Sequence, residues 1–289
     1  MTSSTISALD LGDLTAGAGA VGTASERRVA QRLRTACVAH GFFYLVNHGV
    51  PADLIAATFR GSRRFFEMSA EQKRTVLAVK SRGYTPLAEE TLDPKRQSCG
   101  DTKEGFYIGN KEAGEVDASA AIGANLWPDE AVLPQLDGWK DTMCNYFQAV
   151  HLLGMRLLRV LALSLDLPAD YFTPKFSNPM EALRLLHYSA QKSDAGAGIL
   201  GCGAHSDYGM LTLLLTDDVP GLEILRGGCS VETARDEDWM HVAPRADCFI
   251  VNLGDMLARW TNGLYRATPH RVLRPATGAR ISIPFFFEP

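Results

Sequence analysis

No stretch of this chain is both long and free of charge. The most apolar helix candidate, Val150 to Leu167, carries His151, Arg156, Arg159 and Asp166. A bilayer span tolerates such residues poorly, so the segment reads as a buried core helix and no membrane partner is expected. Positive charge is not in excess: 29 Lys and Arg stand against 33 Asp and Glu, a formal net charge of -4. That balance argues against nucleic acid as a partner. The only local basic cluster, Arg60 to Arg64, reads as a solvated helix face. Cysteines are few and scattered. Cys37, Cys99, Cys144, Cys202, Cys229 and Cys248 form no Cys-x-x-Cys pair, so neither a zinc finger nor a disulfide framework is expected. Reduced, mostly buried thiols fit a cytoplasmic protein. Met1 to Ser7 is small and polar, with no charged stretch leading into an apolar core, so no secretory signal is expected. Repeats and low-complexity tracts are absent too.

What is present is ordinary globular composition: 289 residues, 46% hydrophobic and 21% charged, enough for one large domain or two small ones. The first half reads mainly as helices. Ile6 to Leu11 suits a short strand, and Gly12 to Thr23 a Gly-rich loop. Ser25 suits an N-cap, with Val29, Leu33, Ala36 and Cys37 following at helical spacing and Gly41 ending the helix. Phe42 to Val46 reads as a strand. Pro51 opens a second helix, and Ser69 with Gln72 makes a capping box for a third. Residues 80–104 show no period. Gly105 to Gly109 suits a strand, and residues 110–128 a surface loop. A long helix is predicted from about Leu136 to Leu165, with Met143, Phe147, Val150, Leu153, Leu157, Leu158 and Leu161 on its apolar face.

Beyond Asn178 the period becomes strand-like. The candidates are Ala182–Tyr188, Met210–Leu215, Gly221–Leu225, Trp239–Val242, Phe249–Leu253, His270–Leu273 and Ile281–Phe287. Many short strands broken by Gly, Pro and Asp suggest a sandwich or barrel. The expected class is α+β, mainly β, with the long helix packed outside a β core. Residues 1–135 form a mixed N-terminal region and residues 136–289 the long helix plus the β core, as one physical unit.

Three residues in this second part carry chemistry. His205 and Asp207 are two apart, so an extended Ala204 to Tyr208 aims both at one point. His270 starts another candidate strand, and a closed β core can supply a third ligand at its mouth. Two imidazoles and a carboxylate make the open-sided triad of non-haem Fe(II) oxygenases. The tripeptide alone is weak, since a surface turn would produce it by chance. A zinc peptidase would more often show His-Glu-x-x-His, which is missing. A structural zinc site prefers four ligands. Ligand type therefore favours iron.

Arg280 and Ser282 are again two apart and share a face. With a hairpin turn at Pro275, Thr277 and Gly278, Arg274 would pair with Arg280 and Val272 with Ser282. That register would send His270, Val272, Ser282 and Arg280 into one interior, where a diacid bound to the metal could be held at its far carboxylate. Asn252 and Asp255 read as turn-shaping, with Asp255 as a helix cap. His48 reads as a structural turn residue. His187 and His241 read as strand or surface residues. Phe106 and Tyr107 suit either a pocket lining or the strand core.

Several segments resemble one family in the right order across nearly the whole chain. "GFFYLVNHGV" (Gly41 to Val50), "AHSDYGMLTLL" (Ala204 to Leu214), "VNLGDMLARWTNG" (Val251 to Gly263), "HRV" (His270 to Val272) and "RISIPFF" (Arg280 to Phe286) are similar to the isopenicillin-N-synthase-like Fe(II)/2-oxoglutarate-dependent dioxygenases. The resemblance implies a double-stranded β-helix, or jelly roll, flanked by helices. It implies His205, Asp207 and His270 as iron ligands, and Arg280 and Ser282 on the distal carboxylate of 2-oxoglutarate. Tyr188 falls where the family has a tyrosine that helps hold this co-substrate. Leu186 stands where many relatives have asparagine, and Ser189 where proline is usual. Relatives usually continue beyond the point matching Pro289 with a segment over the substrate side, so an open pocket or a shortened form is expected. The implied activity is oxidation, by hydroxylation, of a small organic molecule by O2, with release of succinate and CO2. The alternatives left open are an iron oxidase of this fold that does not use 2-oxoglutarate, and a non-catalytic ligand-binding remnant.

Overall fold

The computed structural model describes residues 5–14, 23–112, 115, 122–227, 229–274 and 278–289. In chain order these form β1 (Ala8–Asp10), α1 (Ala24–Ala39), β2 (Phe42–Val46), α2 (Ala52–Phe66), α3 (Ala70–Arg74), β3 (Gly83–Thr85), β4 (Lys103–Gly109) and α4 (Trp139–Ser164). There follow β5 (Ala182–Tyr188), β6 (Cys202–His205), β7 (Leu211–Thr216), β8 (Leu222–Leu225), β9 (Trp239–His241) and β10 (Phe249–Leu253). The chain ends with α5 (Asp255–Trp260), β11 (His270–Val272) and β12 (Arg280–Phe287).

The strands make two sheets. The larger has the order β1-β2-β10-β7-β12-β5-β4-β3, the smaller β6-β11-β8-β9. This is the jelly-roll core flanked by helices that the resemblance implies. Both halves of the chain contribute to the larger sheet, because β1 to β4 flank strands from the second half.

Period-2 alternation decides what each face does. On β12, Ile281, Ile283, Phe285 and Phe287 point to the helices, as do Leu183 and Leu185 of β5 and Leu211, Leu213 and Leu215 of β7. There they meet Met143, Phe147, Val150, Leu153 and Leu157 of α4. By length and composition the segment Pro134–Ser164 could cross a membrane, but 56% of its most apolar window is buried inside the fold. It is a core helix, as its charges predict. The opposite face of the same strands lines the space between the sheets.

Several expectations change. The first helix is capped by Thr23, not Ser25: Thr23 Oγ1 accepts from the Glu26 amide and Glu26 Oε2 accepts from the Thr23 amide, both at 3.1 Å. Thr23-x-x-Glu26 is itself a capping-box pattern. Pro51 is the N-cap of α2 rather than its first residue. Strand β3 arises inside the stretch that shows no period, by pairing Tyr84 with Phe106. Of the loop predicted at residues 12–23, positions 15–22 lie outside the described residues, as do 113, 114 and 116–121 of the loop at 110–128. So do Pro275 and Thr277 of the predicted hairpin turn.

The proposed pairing of the last two strands is wrong. β11 and β12 belong to different sheets: β11 pairs with β6 and β8, whereas Arg280 sits opposite Tyr188 and Ser282 opposite Leu186 and Thr216. The chain crosses from one sheet to the other instead of turning back on its neighbour. Both strands still border one cavity, so His270, Val272, Ser282 and Arg280 share it although the register differs from the expected one.

Candidate metal and co-substrate site

His205 ends β6 and His270 begins β11, and the two are direct cross-strand partners. Their ring centroids are 4.3 Å apart. Asp207 lies two residues past the end of β6, so the expected strand from Ala204 to Tyr208 stops early. The chain there runs against Gly254: a Cβ on Gly254 would come within 2.3 Å of the Gly209 carbonyl and 2.8 Å of that of Asp207. Only glycine allows that approach, and the Asp255 amide then donates to the Asp207 carbonyl at 2.8 Å. Gly254, not Asp255, caps α5; the Asp255 carboxylate instead accepts from Ser206 Oγ at 3.0 Å.

Asp207 Oδ1 lies 3.7 Å from His205 Nε2 and 3.8 Å from His270 Nε2. One ligand atom from each residue falls within 4.8 Å of the others, a spread that could hold a metal ion. The outer hydrogen bonds aim these atoms inward. His205 Nδ1 faces the Gly203 carbonyl at 2.9 Å and His270 Nδ1 that of Thr268 at 3.2 Å. Each Nδ1 therefore carries the proton and leaves the Nε2 lone pair free. Asp207 Oδ2 accepts from Thr212 Oγ1 at 2.5 Å and Asn252 Nδ2 at 2.7 Å, so Oδ1 alone is left for a metal. Thr212 and Asn252 are cross-strand partners on β7 and β10, so both reach the same oxygen.

Burial, and after it the neighbouring His205, pushes His270 down to about 4, so the ring is neutral at ordinary pH. Burial opposes charge on Asp207, but the two imidazoles and the two hydrogen bonds outweigh it and hold the carboxyl below its usual range. A neutral His270 imidazole and an ionised Asp207 carboxylate are the donor types that a divalent cation needs.

Above this trio lies a small cavity of about 70 Å³. His205, Asp207, His270, Tyr188, Arg280 and Ser282 all line it. Arg280 is only 1% exposed. Its Nε donates to the Val219 carbonyl at 3.2 Å, its guanidinium lies 5.0 Å from the centre of the Tyr188 ring, and its buried Nη1 has no partner. An unpaired buried donor on a charged fork suits a carboxylate.

Residues 6–130 match the family model for the N-terminal part of a non-haem dioxygenase in morphine synthesis, and residues 179–289 that of the 2OG-Fe(II) oxygenase superfamily. The 2-oxoglutarate-Fe(II) type oxidoreductase hxnY of Emericella nidulans is 33% identical over 92% of this chain and 75% of its own. This chain belongs to the 2-oxoglutarate-Fe(II) oxygenase superfamily. It is a dioxygenase that uses Fe(II), 2-oxoglutarate and O2. A 2-oxoglutarate-dependent dioxygenase, caaD of Aspergillus niger, is 35% identical over 91% of this chain and 79% of its own. Among solved structures, a Neurospora crassa enzyme with alpha-ketoglutarate bound superimposes with a TM-score of 0.81, at 28% identity over 98% of this chain and 84% of that one. The same enzyme has been solved with thymine, again with a TM-score of 0.81.

The oxygenase fold also recruits residues that sequence reasoning passed over. Lys103 on β4 lines the cavity, is 3% exposed, and lies 3.2 Å from Glu90 Oε2 and in closer contact with Asp101. Burial opposes its charge, but Cys202, Asp101 and Tyr188 outweigh that and push the ammonium pKa up. Alternation also splits Phe106 from Tyr107. Phe106 packs on Phe65 and Trp139 in the core, while Tyr107 lines the chamber next to the metal site. His48 is structural, with Nδ1 accepting from the Val50 amide at 3.1 Å and its carbonyl held by Arg156 at 2.9 Å. His187 bonds Glu104 at 2.9 Å, and His241 is exposed.

Proposed function

We propose that His205, Asp207 and His270 hold the Fe(II) of this dioxygenase, and that Arg280, with Ser282 and Tyr188, holds the far carboxylate of 2-oxoglutarate. The observation that carries this is the pairing of an inward-facing donor trio with a buried guanidinium nitrogen that has no partner in the same cavity. Iron and 2-oxoglutarate supply the oxidising power, using O2 and releasing succinate and CO2. The chain's own residues position and shield. Thr212 and Asn252 hold Asp207 Oδ2 and leave Oδ1 facing the two imidazoles. The carbonyls of Gly203 and Thr268 fix both ring tautomers. Leu186 and Val272 give the cavity an apolar wall, which excludes water and strengthens the charge contact at Arg280. The reading extends to a small organic molecule as substrate, supported by relatives of that kind. It also takes the protein to be cytoplasmic, with neither nucleic acid nor membrane as partner, supported by the charge balance and the absence of disulfide spacing.

Protein loaded with Fe(II) without oxygen, then given 2-oxoglutarate and O2, should release succinate slowly even without a substrate. Arg280→Gln should weaken 2-oxoglutarate binding by roughly ten- to a hundredfold, the range of a lost charge-assisted hydrogen bond, while Fe(II) affinity holds. Equal affinity for 2-oxoglutarate in the variant would mean that the carboxylate lies elsewhere.

A further inference from the structure

A second, wider chamber opens beside the metal trio. His205 and Asp207 line it, together with Arg82, Tyr107, Arg184 and Glu288. Both arginines are buried, at 6% exposure each, but they differ in partners. Arg184 has a counter-ion, since its Nη2 lies 2.7 Å from Glu90 Oε2, and its guanidinium stacks 4.2 Å from the Tyr107 ring centre. Arg82 has none. Its Nη1 donates to the Ser81 carbonyl at 2.8 Å and its Nη2 to the Glu181 carbonyl at 3.4 Å, while its Nε is buried and unpaired. The nearby Glu181 carboxylate is taken by His151 at 2.6 Å. Among the described residues no carboxylate forms an ion pair with Arg82. Burial pulls its pKa down, opposed only by Tyr107 and Tyr208.

A guanidinium out of water and without an anion is costly, and buried charges are normally paired. The backbone nevertheless makes room for this one. A Cβ on Gly109 of β4 would fall 2.1 Å from Arg82 Nε and 2.6 Å from its Cζ, so the planar group lies against bare main chain. Of its five donors, two are spent on carbonyls. The rest form part of a fork that matches a carboxylate. Glu288, whose Oε2 is also buried and unpaired, adds an acceptor to the same chamber.

We infer that Arg82 anchors a carboxylate of the substrate, so that this oxygenase selects small organic acids over their neutral analogues. The inference rests on the metal and 2-oxoglutarate assignment proposed above. Arg82 stands apart from Arg280, which lines the inner cavity and not this chamber.

The test is calorimetric titration, without oxygen, of the Fe(II)- and 2-oxoglutarate-loaded protein. The probes are benzoate, phenylacetate and 4-hydroxycinnamate, each beside its amide. At least one acid should bind roughly ten- to a hundredfold more tightly than its amide. Arg82→Gln should weaken that acid by the same factor and its amide by less than about twofold, and Arg82→Lys should recover part of the loss. Equal binding of acids and amides by the unaltered protein overturns the inference. So does failure of every acid to bind, or a loss in Arg82→Gln that strikes acid and amide alike, the mark of a merely structural arginine. Titrating 2-oxoglutarate alone into the Fe(II) protein, followed by the visible charge-transfer band of that complex, checks the underlying assignment. A band without acid preference overturns only the role of Arg82, whereas no band overturns both.

Discussion

On β12, Ile281, Ile283, Phe285 and Phe287 face the helices, and all are apolar and buried. The alternate residues Arg280 and Ser282 face the cavity and are equally buried, at 1% and 3% exposure. The other central strands repeat the pattern: Leu211, Leu213 and Leu215 against Thr212 on β7, and Phe249, Val251 and Leu253 against Asn252 on β10. Burial therefore does not separate structure from function here, since residues on both faces are buried. What separates them is residue type: on these strands the helix face is apolar, while the inner face carries the polar and charged side chains. The helix face gains from packing, which grows with apolar area. The inner face carries charged and polar groups that the fold aims at one point and, at Arg280 Nη1, leaves unsatisfied.

The largest expected effect separates the faces cleanly. Asp207→Ala removes the only carboxylate of the trio, and Fe(II) binding and succinate release should both vanish while the melting temperature of the metal-free protein changes little. Measured iron content settles it, and a variant that still binds Fe(II) stoichiometrically would remove Asp207 from the site. Phe285→Ala should do the reverse. Its ring packs 4.9 Å from Phe147, and deleting it should cost about 3–5 kcal/mol of stability, read from denaturant unfolding. Fe(II) affinity of the fraction still folded should be retained. If iron binding weakened in step with stability, the two faces would not be independent.

The same alternation explains what could be read from the sequence. Spacing two along a strand put Arg280 with Ser282 on one face without any knowledge of pairing, because the period of a strand is local. His205, Asp207 and His270 converge as expected but not by alternation alone: Asp207 lies past the end of β6, placed by the close approach at Gly254, and the two histidines meet across strands. Register is not local. The expected pairing of β11 with β12 fails because the chain changes sheet between them, and nothing in the sequence from Arg274 to Ala279 announces that change. From sequence Asn252 reads as a turn residue, because its reach to Asp207 exists only once β10 lies beside β7. Lys103 and Arg82 were invisible for a third reason. They come from or beside residues 80–104, where short β3 and the turns show no period, and both side chains gain meaning only from the glycine, acid and tyrosine neighbours that β4 and β5 bring.

One polar cluster breaks the rule on the helix face, and it offers the subtlest test. Glu104 of β4 accepts from Lys73 Nζ at 2.7 Å, from the Tyr84 hydroxyl at 2.5 Å and is bonded by His187 Nδ1 at 2.9 Å. Burial opposes its charge, but the bonds from His187, Lys73 and Tyr84 outweigh that and hold its pKa below the usual carboxylate value. A carboxyl lowered by folding stabilises the native state above its unfolded pKa, near 4.3 for Glu. That contribution is lost as pH falls through the lower, folded value. Glu104→Gln should therefore melt below the unaltered protein at neutral pH, and the gap should narrow as the solution is acidified past about pH 4. Melting curves that stay parallel through that window would mean Glu104 gains nothing from its charge. A narrowing gap would identify these partners as a satisfied structural network. Glu104 on the helix face would then stand as a charge held in a closed set of partners, against Arg280 Nη1 on the inner face, which has none.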